Sequence, residues 1–378
     1  METTLQVPQG LFELQRLPKR RNELLRAWDA ADEYLLNYVA DEIPLTQETQ
    51  ILILNDSFGA LAVALHQYQP AAVSDSWLSQ QSTLENMMAN QLNIDDVQLY
   101  NSLEFPQDNF DLILIKAPKT LALLEYELIQ LRNNINDASR IIIAGMIKAL
   151  PSSVWKLCER ILGPTTTSLA KKKSRLIFIS ADSELTLPDN PYPTCYTLED
   201  STHVICNHAN VFSRDSLDIG TRFFLQHLPR QTAAKDIIDL GCGSGVVGLI
   251  AAEQHPDAKI YFVDESYMAV ASAKDNFQRA YADSREAEFM VTNGLTEFEP
   301  ASADLILCNP PFHQQHAVGD QIAQKMFKQS YRTLCEGGEL WVISNRHLGY
   351  HVSLKLIFGN VVQIAENKKF VILKMIRQ

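Results

Sequence analysis

The segment of this sequence best suited to chemistry is the tetrapeptide Asn309-Pro310-Pro311-Phe312, which directly follows the apolar run DLILC. Proline has a fixed φ and no amide hydrogen, so two consecutive prolines form a stiff corner that presents carbonyl oxygens. The Asn309 side-chain oxygen and the Pro310 carbonyl could accept both hydrogens of a planar exocyclic amine, while Phe312 stacks on the attached ring. This arrangement favours direct group transfer to the amine nitrogen without a strong general base.

A second candidate site lies upstream, where the strand-like run DIIDL passes into a glycine-rich loop. The loop glycines are Gly241, Gly243 and Gly245. They accept positive φ and lack a Cβ, so a ligand can approach the backbone at the carboxyl edge of a sheet. Asp264 ends the next strand-like run and could hold the ribose of a nicotinamide dinucleotide or of S-adenosylmethionine. Asp239 favours S-adenosylmethionine because the methionine end of that cofactor carries an ammonium group.

The elements that must position these residues occur twice, in the same order. The strand-like runs of the first half are QILIL, AAVSDSW, DLILIKAPKT, SRIIIAGMI and KKKSRLIFIS, and those of the second are DIIDL, AKIYFVDES, DLILCNPPFH, GELWVISNR and KKFVILKMI. Their alternation with helix-like segments predicts parallel sheets with helices on both faces. Gly59 matches Gly245 and Pro70 matches Pro256 at the same offset of 186 residues, which indicates an internal duplication.

A boundary between the two copies is visible in the segment SELTLPDNPYPTCY. It contains three prolines and no helical period, which is typical of a linker. We therefore predict two α/β domains, spanning residues 1–190 and 191–378.

The first domain lacks the chemistry of the second. Ile53 stands where Asp239 does, and Phe58 replaces a loop serine, so bulky side chains would occupy the volume that a cofactor needs. Lys116 replaces Asn309 and turns an acceptor into a cation. We predict that the first domain binds no cofactor.

Composition and charge limit the class of protein. Hydrophobic residues make up 46% and charged residues 21%, and no apolar run is long enough to cross a bilayer. The N-terminus has no apolar segment after a basic start, which predicts a cytoplasmic protein. The net charge of -12 argues against a non-specific nucleic-acid binder but allows local basic faces. The candidate contacts with nucleic acid are Lys116, Lys119, Lys171, Lys172, Lys173, Lys368 and Lys369.

The cysteines give no sign of a framework. The sequence contains six, and they are Cys158, Cys195, Cys206, Cys242, Cys308 and Cys335. No two are spaced as C-x-x-C, so neither a zinc site nor a set of disulfides is indicated. We predict free thiols and no metal site.

Both halves contain motifs of a known family. The segments HANVFSRDSLDIGTRFF, DLGCGSGVVGL, FVDES and LCNPPFHQQHA resemble the ribosomal RNA guanine-N2 methyltransferases that act on large- and small-subunit RNA. The first half shares the resemblance through RAWDAADEYLL, ILNDSFGAL, KAPKTLALLE and LGPTTTSLAKKK, so it covers almost the whole chain. It is strongest to the members that act on the large subunit.

The resemblance implies a fold and a reaction. The fold would be two tandem Rossmann-like methyltransferase domains, each with a mainly parallel seven-stranded sheet. S-adenosylmethionine would be the donor, and N2 of one guanosine in protein-free 23S ribosomal RNA the acceptor, with the first domain helping a monomeric enzyme to bind RNA. Family members close the segment before the glycine loop over the cofactor, which implies supporting roles for Phe212, Asp218 and Gly220. Asn293 would lie near the adenine, and Asn309 would border the cofactor.

Other functions remain open from the residues alone. A guanosine of small-subunit RNA or a protein glutamine amide also offers a planar amine to an Asn-Pro-Pro-Phe corner. A non-catalytic RNA-binding or assembly factor with a vestigial pocket is a further alternative, against which the intact glycine loop argues.

Overall fold

The chain folds as two compact units, residues 1–191 and 192–378. The ranges that the computed structural model describes are 2–19, 23–230, 233–311 and 316–378, with 316–320 described by backbone alone. Within these ranges no helix is both long and apolar enough to span a bilayer.

The described part of the first unit contains a hairpin, a seven-stranded sheet and five α-helices. The hairpin pairs β1 (Thr4–Val7) with β2 (Gly10–Glu13). The sheet strands are β3 (Ile51–Leu54), β4 (Ala71–Ser74), β5 (Gln98–Asn101), β6 (Leu112–Lys116), β7 (Arg140–Met146), β8 (Thr165–Thr167) and β9 (Ser174–Ser180). The helices are α1 (Ala30–Glu42), α2 (Ala60–Ala64), α3 (Trp77–Ala89), α4 (Leu121–Leu131) and α5 (Ser152–Ile161). The strand order is β5-β4-β3-β6-β7-β9-β8.

The second unit repeats this construction. Its hairpin pairs β10 (Thr194–Thr197) with β11 (Val204–Asn207). The sheet strands are β12 (Asp236–Leu240), β13 (Lys259–Asp264), β14 (Ala287–Val291), β15 (Ala303–Cys308), β16 (Leu334–Asn345), β17 (Val362–Glu366) and β18 (Phe370–Ile376). The helices are α6 (Ile219–Leu225), α7 (Val246–Gln254), α8 (Tyr267–Tyr281), α9 (His316–Thr333) and α10 (Tyr350–Phe358). The strand order is β14-β13-β12-β15-β16-β18-β17.

The two sheets have equivalent strand orders and directions. In each, five neighbouring strands run parallel, and the last strand of the unit along the chain, β9 or β18, is antiparallel to both of its neighbours. Such parallel strands need helical crossovers, which the helix-like segments between the strand-like runs supply. The predicted fold of two tandem, mainly parallel seven-stranded sheets is confirmed. The hairpin before each sheet was not predicted.

Helices cover both faces of each sheet. Successive strand residues point to opposite faces, and Ile53 packs into the core under α1, α2 and α3 while Leu54 packs under α4 and α5. In the second unit Ile237 faces α6, α7 and α8, and Ile238 faces α9 and α10. Burial on both faces explains why the central strands read as continuous apolar runs rather than as an alternating pattern.

The prediction that all six cysteines are free thiols is wrong for two of them. Cys195 and Cys206 form a disulfide, because β10 and β11 pair in a register that places them directly opposite each other, with Cα atoms 4.0 Å apart. The other four cysteines are free. The described residues contain no group of three or more His, Cys, Asp or Glu side chains placed to share a metal ion.

Candidate active site

The glycine loop joins β12 to α7 at the carboxyl edge of the second sheet. All three loop glycines have positive φ, between 52° and 77°. A Cβ on Gly245 would lie 2.7 Å from the Ala273 Cβ, so this glycine allows α8 to pack against the loop. A Cβ on Gly243 would meet no described atom within 4 Å, so this glycine leaves open space. A Cβ on Gly241 would lie 4.0 Å from the carbonyl oxygen of Asn309, which places the loop beside the proline corner.

Asp264 lies at the end of β13, the strand next to β12, and its carboxylate lies at the mouth of the loop. Its Oδ2 accepts a hydrogen bond from the Gly243 amide at 3.0 Å. Its Oδ1 accepts from the amides of Glu265 and Ser266. The carboxylate is therefore held beside the backbone where the sequence predicts a ribose.

Asp239 is buried at the base of the loop. It is 3% exposed, and its Oδ2 accepts from the Gly248 amide at 2.8 Å. Burial raises the pKa of Asp239 to about 8, and the charge of Asp264 adds to this effect. No Lys, Arg or His forms an ion pair with Asp239 in the described part of the chain. A cationic ligand group beside this buried carboxyl group would favour its ionised form and lower its pKa.

Replacing Asp239 with asparagine is expected to stabilise the cofactor-free protein at alkaline pH and to weaken cofactor binding. The pKa of an unfolded aspartate is near 3.9, so folding takes up a proton between about pH 4 and pH 8, and wild-type stability falls as pH rises through this window. Asparagine has no proton to take up and can still accept from Gly248. At pH 8 the variant should be more stable by about 3 kcal/mol. Urea unfolding at pH 5 and pH 8 measures this; a difference that does not grow with pH would contradict it.

Asn309 follows β15 and lies at the same edge as the loop. Its Nδ2 donates to the Thr221 Oγ1 at 3.0 Å. Its Oδ1 is buried and accepts no hydrogen bond from any described residue. The Thr221 hydroxyl donates to the Asp218 Oδ2 at 3.5 Å, so it accepts from the Asn309 amide nitrogen. The remaining Asn309 atom, Oδ1, is therefore an acceptor, as a planar amine requires. Phe312 lies outside the described residues.

Thr221 was not found by sequence reasoning. It lies on the first turn of α6, whose N-cap residue Asp218 accepts from the Thr221 amide at 2.9 Å. The signal was the spacing Asp-x-x-Thr at a helix start, which places the threonine hydroxyl on the capped turn. Its link to Asn309 spans 88 residues and left no local pattern.

Thr221→Val is expected to lower kcat roughly fivefold to tenfold, the worth of one hydrogen bond near 1 kcal/mol, because the Asn309 amide loses its anchor. Cofactor affinity should not change, since the valine amide still donates to Asp218. Thr221→Ser keeps a hydroxyl and should restore the rate. Steady-state kinetics with both variants measures this, and equal kcat for valine and serine would contradict it.

The segment before the loop contributes Asp218, Gly220 and Phe212 in different ways. Asp218 caps α6. Gly220 is buried, and a Cβ there would lie 3.1 Å from the Phe370 ring, so it allows α6 to approach β18. Both therefore position the turn that carries Thr221. Phe212 is 60% exposed.

Asn293 follows β14, the strand beyond β13, and so lies at the same sheet edge. Its carbonyl oxygen accepts from the Gln329 Nε2 at 3.2 Å, which ties this corner to α9. The strand register places Val291 opposite Asp264, two residues before Asn293. The residue is half-buried beside the strand that carries Asp264.

An asparagine on α8 holds the glycine loop to the hairpin. The Asn276 Nδ2 donates to the carbonyl oxygens of Ser244 and Cys206, and its Oδ1 accepts from the Cys206 amide at 2.7 Å. Asn86 in the first unit makes the same three bonds, to the Phe58 carbonyl and to the backbone of Gln15. Sequence reasoning missed this clamp, although both asparagines are the tenth residue of their helices.

The equivalent loop of the first unit is closed from within. Asp56 accepts from the amides of Ala60, Leu61 and Ala62 at 2.8 to 3.0 Å, so the N-terminus of α2 already holds a carboxylate. Ile53, in the place of Asp239, is fully buried. Phe58 packs against the core, with Arg16 over its ring.

Lys116, the counterpart of Asn309, forms an ion pair within the first unit. Its Nζ lies 2.7 Å from the Asp32 Oδ1 and 2.9 Å from the Asp29 Oδ1. Asp29 caps α1 as Asp218 caps α6. The two carboxylates raise the pKa of Lys116, and the lysine charge is compensated inside the domain.

The other candidate RNA contacts lie on the surface. Their exposed members are Lys119, Lys171, Lys172, Lys173, Lys368 and Lys369. Lys172 pairs with Glu33 at 2.8 Å, and Lys171 lies over the Tyr34 ring. Lys119 forms no ion pair with a described residue. Its charge is therefore compensated less than that of Lys172.

Comparison with known proteins agrees with this geometry. Residues 2–183 match the family described as RLMG N-terminal domain, and residues 202–374 match the methyltransferase small domain. A solved structure of the T. thermophilus 16S rRNA N2 G1207 methyltransferase, in complex with AdoMet and guanosine, has a TM-score of 0.77 over 100% of this chain and 98% of that one. Its sequence identity is 19%, so this likeness shows the fold.

Three curated relatives are similar in sequence over 98% or more of their length. Proteins named ribosomal RNA large subunit methyltransferase G from Aeromonas salmonicida and Streptomyces avermitilis are 47% and 45% identical over 100% of this chain and of theirs. The protein of that name from Pseudomonas aeruginosa is 47% identical over 97% of this chain and 98% of its own. The resemblance in the sequence motifs is confirmed. The chain is an S-adenosylmethionine-dependent methyltransferase and belongs to the ribosomal RNA large subunit methyltransferase G family.

Proposed function

We propose that the second unit transfers the methyl group of S-adenosylmethionine to the exocyclic N2 amine of one guanosine in 23S ribosomal RNA. The observation that carries the proposal is the buried Asn309 Oδ1, which accepts no hydrogen bond from a described residue and which Thr221 holds beside the glycine loop. The names of the relatives refer to large-subunit RNA, and the T. thermophilus protein of similar fold is an N2 methyltransferase solved with guanosine.

The residues of the second unit suit the cofactor. Gly243 leaves open space beside the loop, and Asp264 lies at its mouth, where it can accept from ribose hydroxyls. Asp239 offers a buried carboxyl group to the ammonium of the methionine end. S-adenosylmethionine supplies an electrophilic methyl group. The sheet edge that carries the glycine loop is bordered or positioned by four further residues, which are Phe212, Asp218, Gly220 and Asn293.

The proline corner would orient the amine. Asn309 Oδ1 and the Pro310 carbonyl each accept one of its hydrogens, which turns the nitrogen lone pair out of conjugation with the ring. No strong base is needed before the transfer, because two reacting groups held in line react as one molecule. S-adenosylhomocysteine leaves, and the methylated nitrogen then loses one of its two hydrogens to water as a proton. The sequence assigns stacking on the guanine to Phe312, which lies outside the described residues.

The test uses ribosomal RNA extracted from cells that lack the protein. Incubation with the full chain and methyl-labelled cofactor should give N2-methylguanosine at one position of 23S RNA, and protein-free RNA should be the better substrate than assembled subunits. Label in 16S RNA would move the substrate to the small subunit. Label that remains with protein after nuclease treatment would favour a glutamine amide, and no label in any RNA would overturn the proposal.

We propose that the first unit, residues 1–190 as the sequence divides the chain, binds no cofactor and helps to hold the RNA through Lys119 and the three lysines 171–173. Asp56 supports this because it already occupies the helix N-terminus that a ligand would use. Isothermal titration of the full chain with S-adenosylmethionine should give one site per chain. Two sites would contradict the proposal.

The enzyme would act as a cytoplasmic monomer.

A further inference from the structure

An open cleft of about 660 Å³ lies on the second unit, at the end of β16 and the turn between β17 and β18. Its lining residues are Asn345, Arg346, His347, Lys368 and Lys369. The strand pairing explains how these two segments meet, since Asn345 pairs with Phe370 directly after the two lysines.

The cleft lies beside the proline corner. The strands β15 and β16 are parallel neighbours, with Cys308 opposite Val342. Asn309 is the next residue after Cys308, and Asn345 is three residues beyond Val342. Neighbouring strands are about 4.8 Å apart, so the cleft begins one strand away from Asn309 at the same sheet edge. A polynucleotide that presents a base to Asn309 must pass a flanking nucleotide over this surface or over the opposite side of the corner.

The charge of the cleft is positive, although the chain carries a net charge of -12. Lys368 and Lys369 are exposed, and the Lys369 Nζ lies 4.9 Å from the Phe370 ring centroid. Arg346 is held by Glu366, with Nε to Oε2 at 3.4 Å, so that one carboxylate compensates one of the three permanent cations. The two lysines remain to meet an anion.

Asn345 offers a hydrogen-bond acceptor that a phosphate cannot satisfy. It is 7% exposed, and its Oδ1 is buried without a hydrogen bond from any described residue. Buried acceptors are normally satisfied, and a phosphodiester has no hydrogen to donate. A ribose 2′-hydroxyl is a donor, and it is the group that distinguishes RNA from DNA.

We propose that this cleft binds the ribose-phosphate of a nucleotide flanking the target guanosine, with Lys368 and Lys369 on the phosphate and Asn345 Oδ1 accepting from the 2′-hydroxyl. The inference rests on the proposed function, because it assumes that the base at Asn309 belongs to an RNA strand. It extends that function to how the enzyme recognises the RNA backbone beside the methylated base.

The phosphate contact is tested with the double variant Lys368→Ala and Lys369→Ala. The matched control is Lys235→Ala with Lys274→Ala, since Lys235 precedes β12 at the opposite sheet edge and Lys274 lies within α8. We expect the cleft variant to raise KM for ribosomal RNA while cofactor affinity stays unchanged. The slope of log affinity against log salt should fall by about 0.7 per lysine, the value for single-stranded nucleic acid. A KM and a slope equal to those of the control would overturn the phosphate contact.

The ribose contact is tested with oligonucleotides that carry the mapped guanosine and a single 2′-deoxy sugar at each flanking position in turn. For the wild type, one deoxy position should lower kcat/KM roughly fivefold to tenfold, the worth of one hydrogen bond. Asn345→Ala should show the same loss with ribose and no further loss with deoxyribose. Because the test compares two substrates with one variant, partial destabilisation does not affect it. A variant that stays as sensitive as the wild type would overturn the ribose contact. Failure of the wild type to methylate any RNA would instead overturn the proposed function.

Discussion

Asn309→Ala is expected to lower kcat by about 10²- to 10³-fold while the affinity for S-adenosylmethionine stays within about threefold of the wild type. Removal of one preorganised polar partner of a reacting group has effects of this size. The structure concentrates the effect in kcat, because Asn309 Oδ1 is an open acceptor and the carboxylates at the loop belong to other residues. The alanine also removes the hydrogen bond that the Thr221 hydroxyl accepts from the Asn309 amide.

Single-turnover transfer to ribosomal RNA, with cofactor titration in parallel, measures this prediction. Combining Asn309→Ala with Lys116→Asn provides an internal control, because it places an asparagine at the equivalent position of the first unit. The combined variant should remain inactive, since Asp56 still fills the N-terminus of α2. Methylation by either variant near the wild-type rate would show that Asn309 does not hold the acceptor.

Substitutions of two glycines in the same loop are expected to have different effects, one on cofactor binding and the other on stability. Gly243→Val should weaken S-adenosylmethionine binding by at least about 100-fold, close to 3 kcal/mol, because its side chain enters open space that we assign to the cofactor. Its effect on folding should be limited to the cost of a left-handed residue, about 1–2 kcal/mol. Gly245→Ala should instead destabilise the second unit by a further 1–3 kcal/mol from overpacking, since its Cβ would lie 2.9 Å from the Ala273 backbone.

Thermal unfolding and cofactor titration of both variants separate the two outcomes. Gly243→Val should melt a few degrees below the wild type and bind poorly, whereas Gly245→Ala should melt lower still. If Gly243→Val bound S-adenosylmethionine with normal affinity, the assignment of the cofactor to this loop would be wrong. Equal melting temperatures would show that the contact with Ala273 relaxes without cost.

The sequence could predict the sheets and the loop because their signals are local or repeated. The glycines of the loop reflect backbone φ, and the apolar runs of β12 and β15 reflect burial on both faces. The internal duplication supplied a second signal, since the strand-like runs occur in the same order in both halves. For the same reason Asn309 could be placed beside the loop before any distance was known.

The contacts that hold the site were beyond sequence reasoning because they join distant segments through single side chains. The bond from Asn309 to Thr221 spans 88 residues, and the bonds from Asn276 to Ser244 and Cys206 span 32 and 70, so no local pattern reveals these partners. The disulfide between Cys195 and Cys206 depends on hairpin register, which the turn decides. In the first unit, the sequence could not show which way the Phe58 side chain points. Phe58 packs on the core, and Asp56 rather than Phe58 closes the loop.

The asparagine clamp bears on the history of the two copies and on how the loop meets its ligand. Asn86 and Asn276 make the same three bonds, although one loop is closed by its own carboxylate and the other is open. A feature shared by both copies of a duplication is most simply inherited from the single ancestor, so the clamp is older than the divergence of the two loops. It also holds the backbone without any help from a ligand. The glycine loop is therefore preorganised, and binding does not have to order it.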